Sequence, residues 1–260
     1  MVTALRSIIQ SRDLIWTWSG RILRTRYQQT VLGGLWIIAQ PLSSVIIFSI
    51  IFTYFVPIST GDIPYPVFSY VAIVPWTLLA SSLTDMTESI VGNMQLITKI
   101  YFPREVLPLS SILARLVDYL VALSLLVILL IWYKVQLFPP GLMFLPVILL
   151  IQLTLIFGLG LLLSAANVFF RDVRSLLVLG LQVWFYLSPI IYPVTMVPDK
   201  IQPYYYLNPM AGILTAYRDV ILNQQLPGSY LLVSAIAALG ILFLGYWFFK
   251  RTEPRFADII

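Results

Sequence analysis

PYYYLNPMAGILTAYRDVIL (Pro203–Leu222) is apolar enough to be read as a membrane span, yet it carries Asn208, Arg218, Asp219 and an Asn-Pro step. Counting it as a span gives seven crossings and puts the C-terminal Lys250, Arg251 and Arg255 outside; leaving it out gives six. Proline disfavours helix in the residue before it, so the chain is expected to break at Asn208-Pro209. Residues 195–228 then form a pair of short external or re-entrant helices before the last span.

The rest of the sequence supports a membrane class. Of 260 residues, 60% are hydrophobic and 10% charged, against roughly 25% charged in a soluble domain. Apolar runs recur at about the twenty residues needed to cross ~30 Å of hydrocarbon. Six spans are predicted, at 33–56, 66–90, 107–133, 142–168, 175–195 and 229–249. Pro41, Pro75, Pro146 and Pro189 fall inside them, where neighbouring helices can re-satisfy freed backbone groups. With the N-terminus cytoplasmic, Arg6, Arg12, Arg21, Arg24, Arg26, Lys99, Arg104, Arg171, Arg174, Lys250, Arg251 and Arg255 lie inside. Only Lys134, Lys200 and Arg218 lie outside, and Arg115 is within a span. That asymmetry is a positive-inside signal, with both termini cytoplasmic. The expectation is an all-α integral membrane protein of one domain: an N-terminal segment 1–32, a six-helix region 33–250 and a tail 251–260.

The net charge of +5 belongs to loops between apolar runs, so it points to topology and not to nucleic acid. With no cysteine and no histidine, disulfides, thiolate metal sites, zinc chemistry and His-based acid–base catalysis are excluded. The basic start has no uninterrupted apolar core before a small-residue cleavage site, so the first span is expected to act as its own insertion signal.

Between residues 5 and 27 the helical wheel places Ile8, Ile15, Trp18 and Ile22 together, with Arg6, Asp13, Thr17 and Arg24 opposite. Arg12 and Arg26 break the pattern. An interfacial helix on the cytoplasmic face is the reading, with a plain basic flank as its alternative.

RTRYQQTVLGGLWIIAQPL (Arg24–Leu42) resembles the N-terminal signature of ABC-2 type permeases that export lipid-linked polysaccharides; the matching positions are Arg24, Arg26, Tyr27, Leu32, Gly33, Leu35, Trp36 and Pro41. YPVFSYVAIVPWTLLASSL (Tyr65–Leu83), LITKIYFPREVLPLS (Leu96–Ser110), NVFFRDVRSLL (Asn167–Leu177), and LSPIIYP with LNPMAGILTAYRD resemble later pieces of that family, in its order. The resemblance implies a homodimeric pore in the bacterial cytoplasmic (inner) membrane. It implies a separate ABC ATPase subunit in two copies, and an undecaprenyl-pyrophosphate-linked glycan as substrate. No G-x-x-x-x-G-K-[ST] loop occurs; ATP and Mg would be bound by the partner and no cofactor by this chain.

On that resemblance Lys99, Tyr101, Phe102, Arg104 and Glu105, with Arg24 and Arg26, would face the ATPase; an ordinary charged turn is the alternative. Arg115 and Asp118, three apart on one helix face, and Asp85 and Glu88 with the same spacing, form an expected intramembrane charge cluster. A charge at mid-bilayer costs about 2.5–3.5 kcal/mol, so Arg115 should pair with Asp118 or with one of the acids of the second span. A structural clamp and a lining for an anionic headgroup are both open. Trp184, Tyr186 and Tyr192 are candidate glycan-path aromatics, since sugar C–H faces pack on rings; an interfacial aromatic belt is the other reading. A polyprenyl-lipid enzyme, a secondary transporter, and an ABC-2 exporter of teichoic acid, capsule, drugs or other lipids remain as alternatives.

Overall fold

The computed structural model describes residues 11–28, 33–61, 63–100 and 102–256. Among these the secondary structure is helical throughout. The elements are α1 (Arg12–Tyr27), α2 (Trp36–Ile50), α3 (Tyr65–Ser89), α4 (Met94–Lys99), α5 (Val106–Trp132) and α6 (Pro139–Leu142), then α7 (Leu145–Phe169), α8 (Val173–Tyr186), α9 (Gln202–Tyr205), α10 (Pro209–Ile221) and α11 (Tyr230–Thr252). A π-helical turn, Ile51–Phe55, extends α2.

Among the described residues, five segments are long and apolar enough to cross a membrane: Gly33–Phe55, Tyr65–Ser89, Val106–Trp132, Pro139–Phe169 and Tyr230–Arg255. The fifth predicted span, 175–195, is different. Its helix α8 has 14 residues, hence about 21 Å of length at ~1.5 Å per residue. It stops at Tyr186, shortly before Pro189, which cannot donate a backbone hydrogen bond and disfavours helix in the residue before it. The carbonyls of Pro189 and Ile190 turn instead to Arg218, at 2.6 and 2.7 Å.

α3 is the axis of the molecule: 18 of its residues are buried, from Tyr65 to Ser89. It packs against α2, α5, α7, α8 and α10. Polar side chains tie these neighbours at depth. Tyr119 donates to Tyr217 (3.3 Å), Tyr217 to Gln152 (3.1 Å), and Gln152 to the Pro75 carbonyl (2.7 Å), joining α5, α10, α7 and α3. Asn167 of α7 donates to the Thr87 carbonyl of α3 (2.9 Å).

The break at Asn208-Pro209 is present. Asn208 is extended, Pro209 opens α10, and the Asn208 side chain accepts from the Met210 amide at 3.1 Å, as an N-cap does. All of α10 except Pro209 and Thr215 is buried, which is why its composition resembles a span: a helix enclosed on every side is apolar all round. α10 is inserted among α3, α7 and α11.

α7 and α11 make the closest crossing. A Cβ at Gly245 would lie 2.0 Å from the Gly158 carbonyl oxygen, and one at Gly158 would lie 2.6 Å from Leu242 Cα. Small residues let membrane helices approach to backbone contact, where dispersion supplies the attraction that water cannot.

Candidate functional site

α1 lies against the start of α5. Ile15 and Ser19 are buried, Ser19 donates to the Ile15 and Ser110 carbonyls (2.8 and 3.3 Å), and Ser110 donates to the Ile15 carbonyl (3.4 Å). Extending that face by helical spacing through Ile22 reaches Arg26. Arg26, one of the two residues that disturb the amphipathic pattern, is therefore on the protein-facing side, whereas Arg12 is exposed.

There Arg26 bridges two aspartates, donating from Nη2 to Asp85 Oδ2 and from Nη1 to Asp118 Oδ2, each at 2.6 Å. Arg115 donates to Asp85 through Nε (2.7 Å) and Nη2 (2.9 Å), a two-pronged contact, and through Nη1 to Asp118 at 3.2 Å. Tyr27 donates its hydroxyl to Asp118 Oδ1 at 2.9 Å. The four charged side chains are between 12% and 23% exposed. Two guanidiniums and two carboxylates form a neutral cluster that joins α1, α3 and α5. Each charge has partners within hydrogen-bond reach, which such groups need when they are withdrawn from water.

Of the predicted cluster, the structure brings together Asp85, Arg115 and Asp118, and adds Arg26 and Tyr27. Glu88 is not in it: one turn on from Asp85, it pairs with Arg174 at 2.6 Å. Arg26 was expected among the ATPase-facing residues and instead has its partners inside the bundle. Arg26, Tyr27, Arg115 and Asp118 of the cluster line a cavity of about 460 Å³, whose other walls include Trp36, Gln40, Thr77, Ser81 and Thr84.

The segment after α4 is also held more tightly than a charged turn. Glu105 is fully buried and pairs with Lys250 of α11, which also reaches Glu253 at 2.8 Å. Arg104 donates to the Glu253 carbonyl and lies over the Phe256 ring, 5.7 Å from its centroid. Phe102 is half-buried in an apolar pocket with Leu14, Trp18, Leu96, Ile100 and Leu107. Lys99 and Arg24 are exposed, as is Ile100 at 58%. Tyr101, like Arg6, Ile8 and Leu32, lies outside the described residues. Lys250→Ala leaves Glu105 buried without its cation and should lower stability by about 2 kcal/mol. Thermal unfolding in lipid nanodiscs checks this, and Lys250→Arg should retain most of the lost stability.

The three candidate aromatics separate. Trp184 is half-buried, edge-on to Trp76 at 5.8 Å and donating to Asn208 at 2.8 Å. Tyr192 bonds to the Tyr186 carbonyl and to the Tyr205 hydroxyl, each at 3.0 Å. Tyr186 alone is exposed. Sequence reasoning placed Arg218 on the outer side and gave it no partner. It is 5% exposed, 3.6 Å from the Phe68 ring centroid, and it gathers the carbonyls of Pro189, Ile190 and Tyr192. The signal was available: an arginine in an otherwise apolar helix, with a Pro-rich turn nearby to supply unbonded carbonyls.

The model of the ABC-2 type transporter family matches residues 13–222. The chain is 30% identical over 248 residues, 95% of each chain, to the O-antigen export system permease protein RfbA of Klebsiella pneumoniae. It is 30% identical to the protein of that name from Myxococcus xanthus, covering both chains entirely, and 27% identical over 90% of its length to the polysialic acid transport protein KpsM of Escherichia coli. With residues 13–222 inside the family model and 30% identity to relatives over nearly the whole chain, the chain belongs to the ABC-2 type transporter family.

Proposed function

We propose that the chain is the membrane subunit of an ATP-driven exporter that moves an O-antigen-like, lipid-linked polysaccharide across the bacterial cytoplasmic membrane. The observation that carries this is the similarity to O-antigen export permeases, which runs through nearly the whole of both chains. The subunit hydrolyses nothing itself. A separate ATPase, in two copies, binds ATP and Mg and acts on a permease homodimer, and an undecaprenyl pyrophosphate carries the glycan. The charge asymmetry supports six crossings with both termini cytoplasmic, α8 and the turns after it making the fifth.

In this mechanism closure of the ATPase displaces α4 and the 102–106 segment together with α1. Arg26 transmits that displacement to α3 and α5 at the wall of the central cavity. Export of a capsule-type glycan is the second reading, favoured by the similarity to the polysialic acid transporter.

The test is co-expression with the ATPase encoded beside the gene, followed by ATP hydrolysis and export in proteoliposomes. Tyr101→Ala/Phe102→Ala should lower hydrolysis severalfold. Ile100→Asp, altering an exposed side chain, should do so without changing the melting temperature. Failure of any ATPase to associate, or hydrolysis indifferent to both variants, overturns the coupling assignment.

A further inference from the structure

At the end of the bundle away from α1 and α4, a cavity of about 520 Å³ lies between the turns 59–61 and 193–195, α9, and the facing ends of α10 and α11. That volume falls within the roughly 300–1,000 Å³ of small-molecule sites. Neither the ion cluster nor the 102–106 segment takes part in it. Its walls carry Thr60, Gln202, Tyr206, Asp219, Asn223 and Tyr230.

Asp219 is the chemical centre. Its Oδ1 accepts from Asn223 at 2.8 Å, and its Oδ2 from the Tyr230 hydroxyl. No Lys or Arg among the described residues makes an ion pair with it. A carboxylate offers about four lone-pair sites, so two remain beyond those two donors. The Tyr230 ring stacks on Tyr206 with centroids 5.0 Å apart and planes 18° from parallel, fixing the pair as a rigid aromatic wall. Arg218, which also lines the cavity, has its Nε buried without a partner.

A ligand that suits this lining brings several hydroxyl donors for the carboxylate and amides, and an apolar C–H edge for the tyrosines. Those are the features of a pyranose ring. A carboxylate- or phosphate-bearing sugar is disfavoured, because Asp219 would repel it in a partly desolvated site, while the neighbouring Arg218 has its Nη donors committed to the carbonyls of Pro189, Ile190 and Tyr192.

We propose that this cavity binds one uncharged sugar unit, separately from the cavity beside the ion cluster. The proposal rests on the glycan-export reading for its biological ligand. A site here would hold the glycan at the end of the subunit opposite the interfacial helix, and would select for neutral residues along it.

The experiment is saturation-transfer-difference NMR on the full chain, co-purified with its ATPase in nanodiscs. The probes are maltotetraose and mannotetraose as uncharged sugars and a sialic acid trimer as the charged one. Transfer to ring protons of an uncharged probe, and not to the trimer, is expected. Asp219→Asn should weaken that binding about tenfold, the loss of a hydrogen bond to a charged group. Gln202→Leu, which leaves the Asp219 network intact, should weaken it too and serves if Asp219→Asn fails to fold. No transfer to either uncharged probe, or binding that survives both substitutions, overturns the site. The two readings fail separately: export without sugar binding sinks the site alone, and sugar binding without ATP-dependent export sinks the exporter reading.

Discussion

Arg115→Met should be the most destabilising change among the polar residues of the membrane region, at about 3 kcal/mol, near the lower end for breaking a buried ion pair. Arg115 supplies three of the hydrogen bonds to Asp85 and Asp118. Without it, two carboxylates share the one guanidinium of Arg26, and the excess negative charge sits at positions at most 23% exposed. The loss comes from the stranded acid more than from the missing attraction. Arg115→Met/Asp85→Leu should therefore be more stable than Arg115→Met alone, because Arg26 and Asp118 remain as a balanced pair. Thermal unfolding of the four proteins of that double-mutant cycle in nanodiscs gives the coupling. A double variant no more stable than the single one would show that the cluster contributes packing and not charge balance. Arg26→Met should leave α3 against α5 but release α1, seen as faster hydrogen exchange across residues 12–27.

Gly245→Ala should lower stability by about 3 kcal/mol, while Gly240→Ala on the same helix leaves it unchanged or slightly raised. The added methyl at 245 would meet the Gly158 carbonyl oxygen at 2.0 Å, a backbone atom that cannot rotate away, so α11 must separate from α7. Overpacking of this kind costs about 1–3 kcal/mol, and the lost contact along a glycine-lined crossing adds to it. At Gly240 a Cβ meets nothing within 4 Å, and alanine is the better helix former by up to about 1 kcal/mol. Equal melting temperatures for the two variants would mean that α7 and α11 do not pack through Gly158 and Gly245.

Much of this architecture is legible in composition and spacing. The five long helices follow from apolar length, and the break at Asn208-Pro209 follows from proline's effect on its neighbour. The pairing of Arg115 with acids of α3 and α5 follows from the cost of an isolated charge in hydrocarbon. Glu88 escaped because two residues three apart on a helix need not share a partner: Asp85 points to Arg115, while Glu88 reaches Arg174 at the start of α8. α8 escaped because apolarity continues past its end. Residues 187–192 are apolar enough for a span, yet their carbonyls are drawn to an arginine some thirty residues later in the chain.

By itself the sequence determined what depends on local chemistry: a helical membrane chain, the places where proline interrupts it, the charge bias between its alternate loops, and the family its ordered motifs resemble. Tertiary structure alone decided which face of α1 is inward, and so made Arg26 a member of the ion cluster. It also sank Glu105 beneath Lys250, enclosed α10, and assembled a polar cavity from Thr60, Asp219 and Tyr230. The physical reason is that a side chain's energy in a low-dielectric interior depends on partners that can lie more than ninety residues away, as Asp118 does from Arg26. No local pattern encodes that distance.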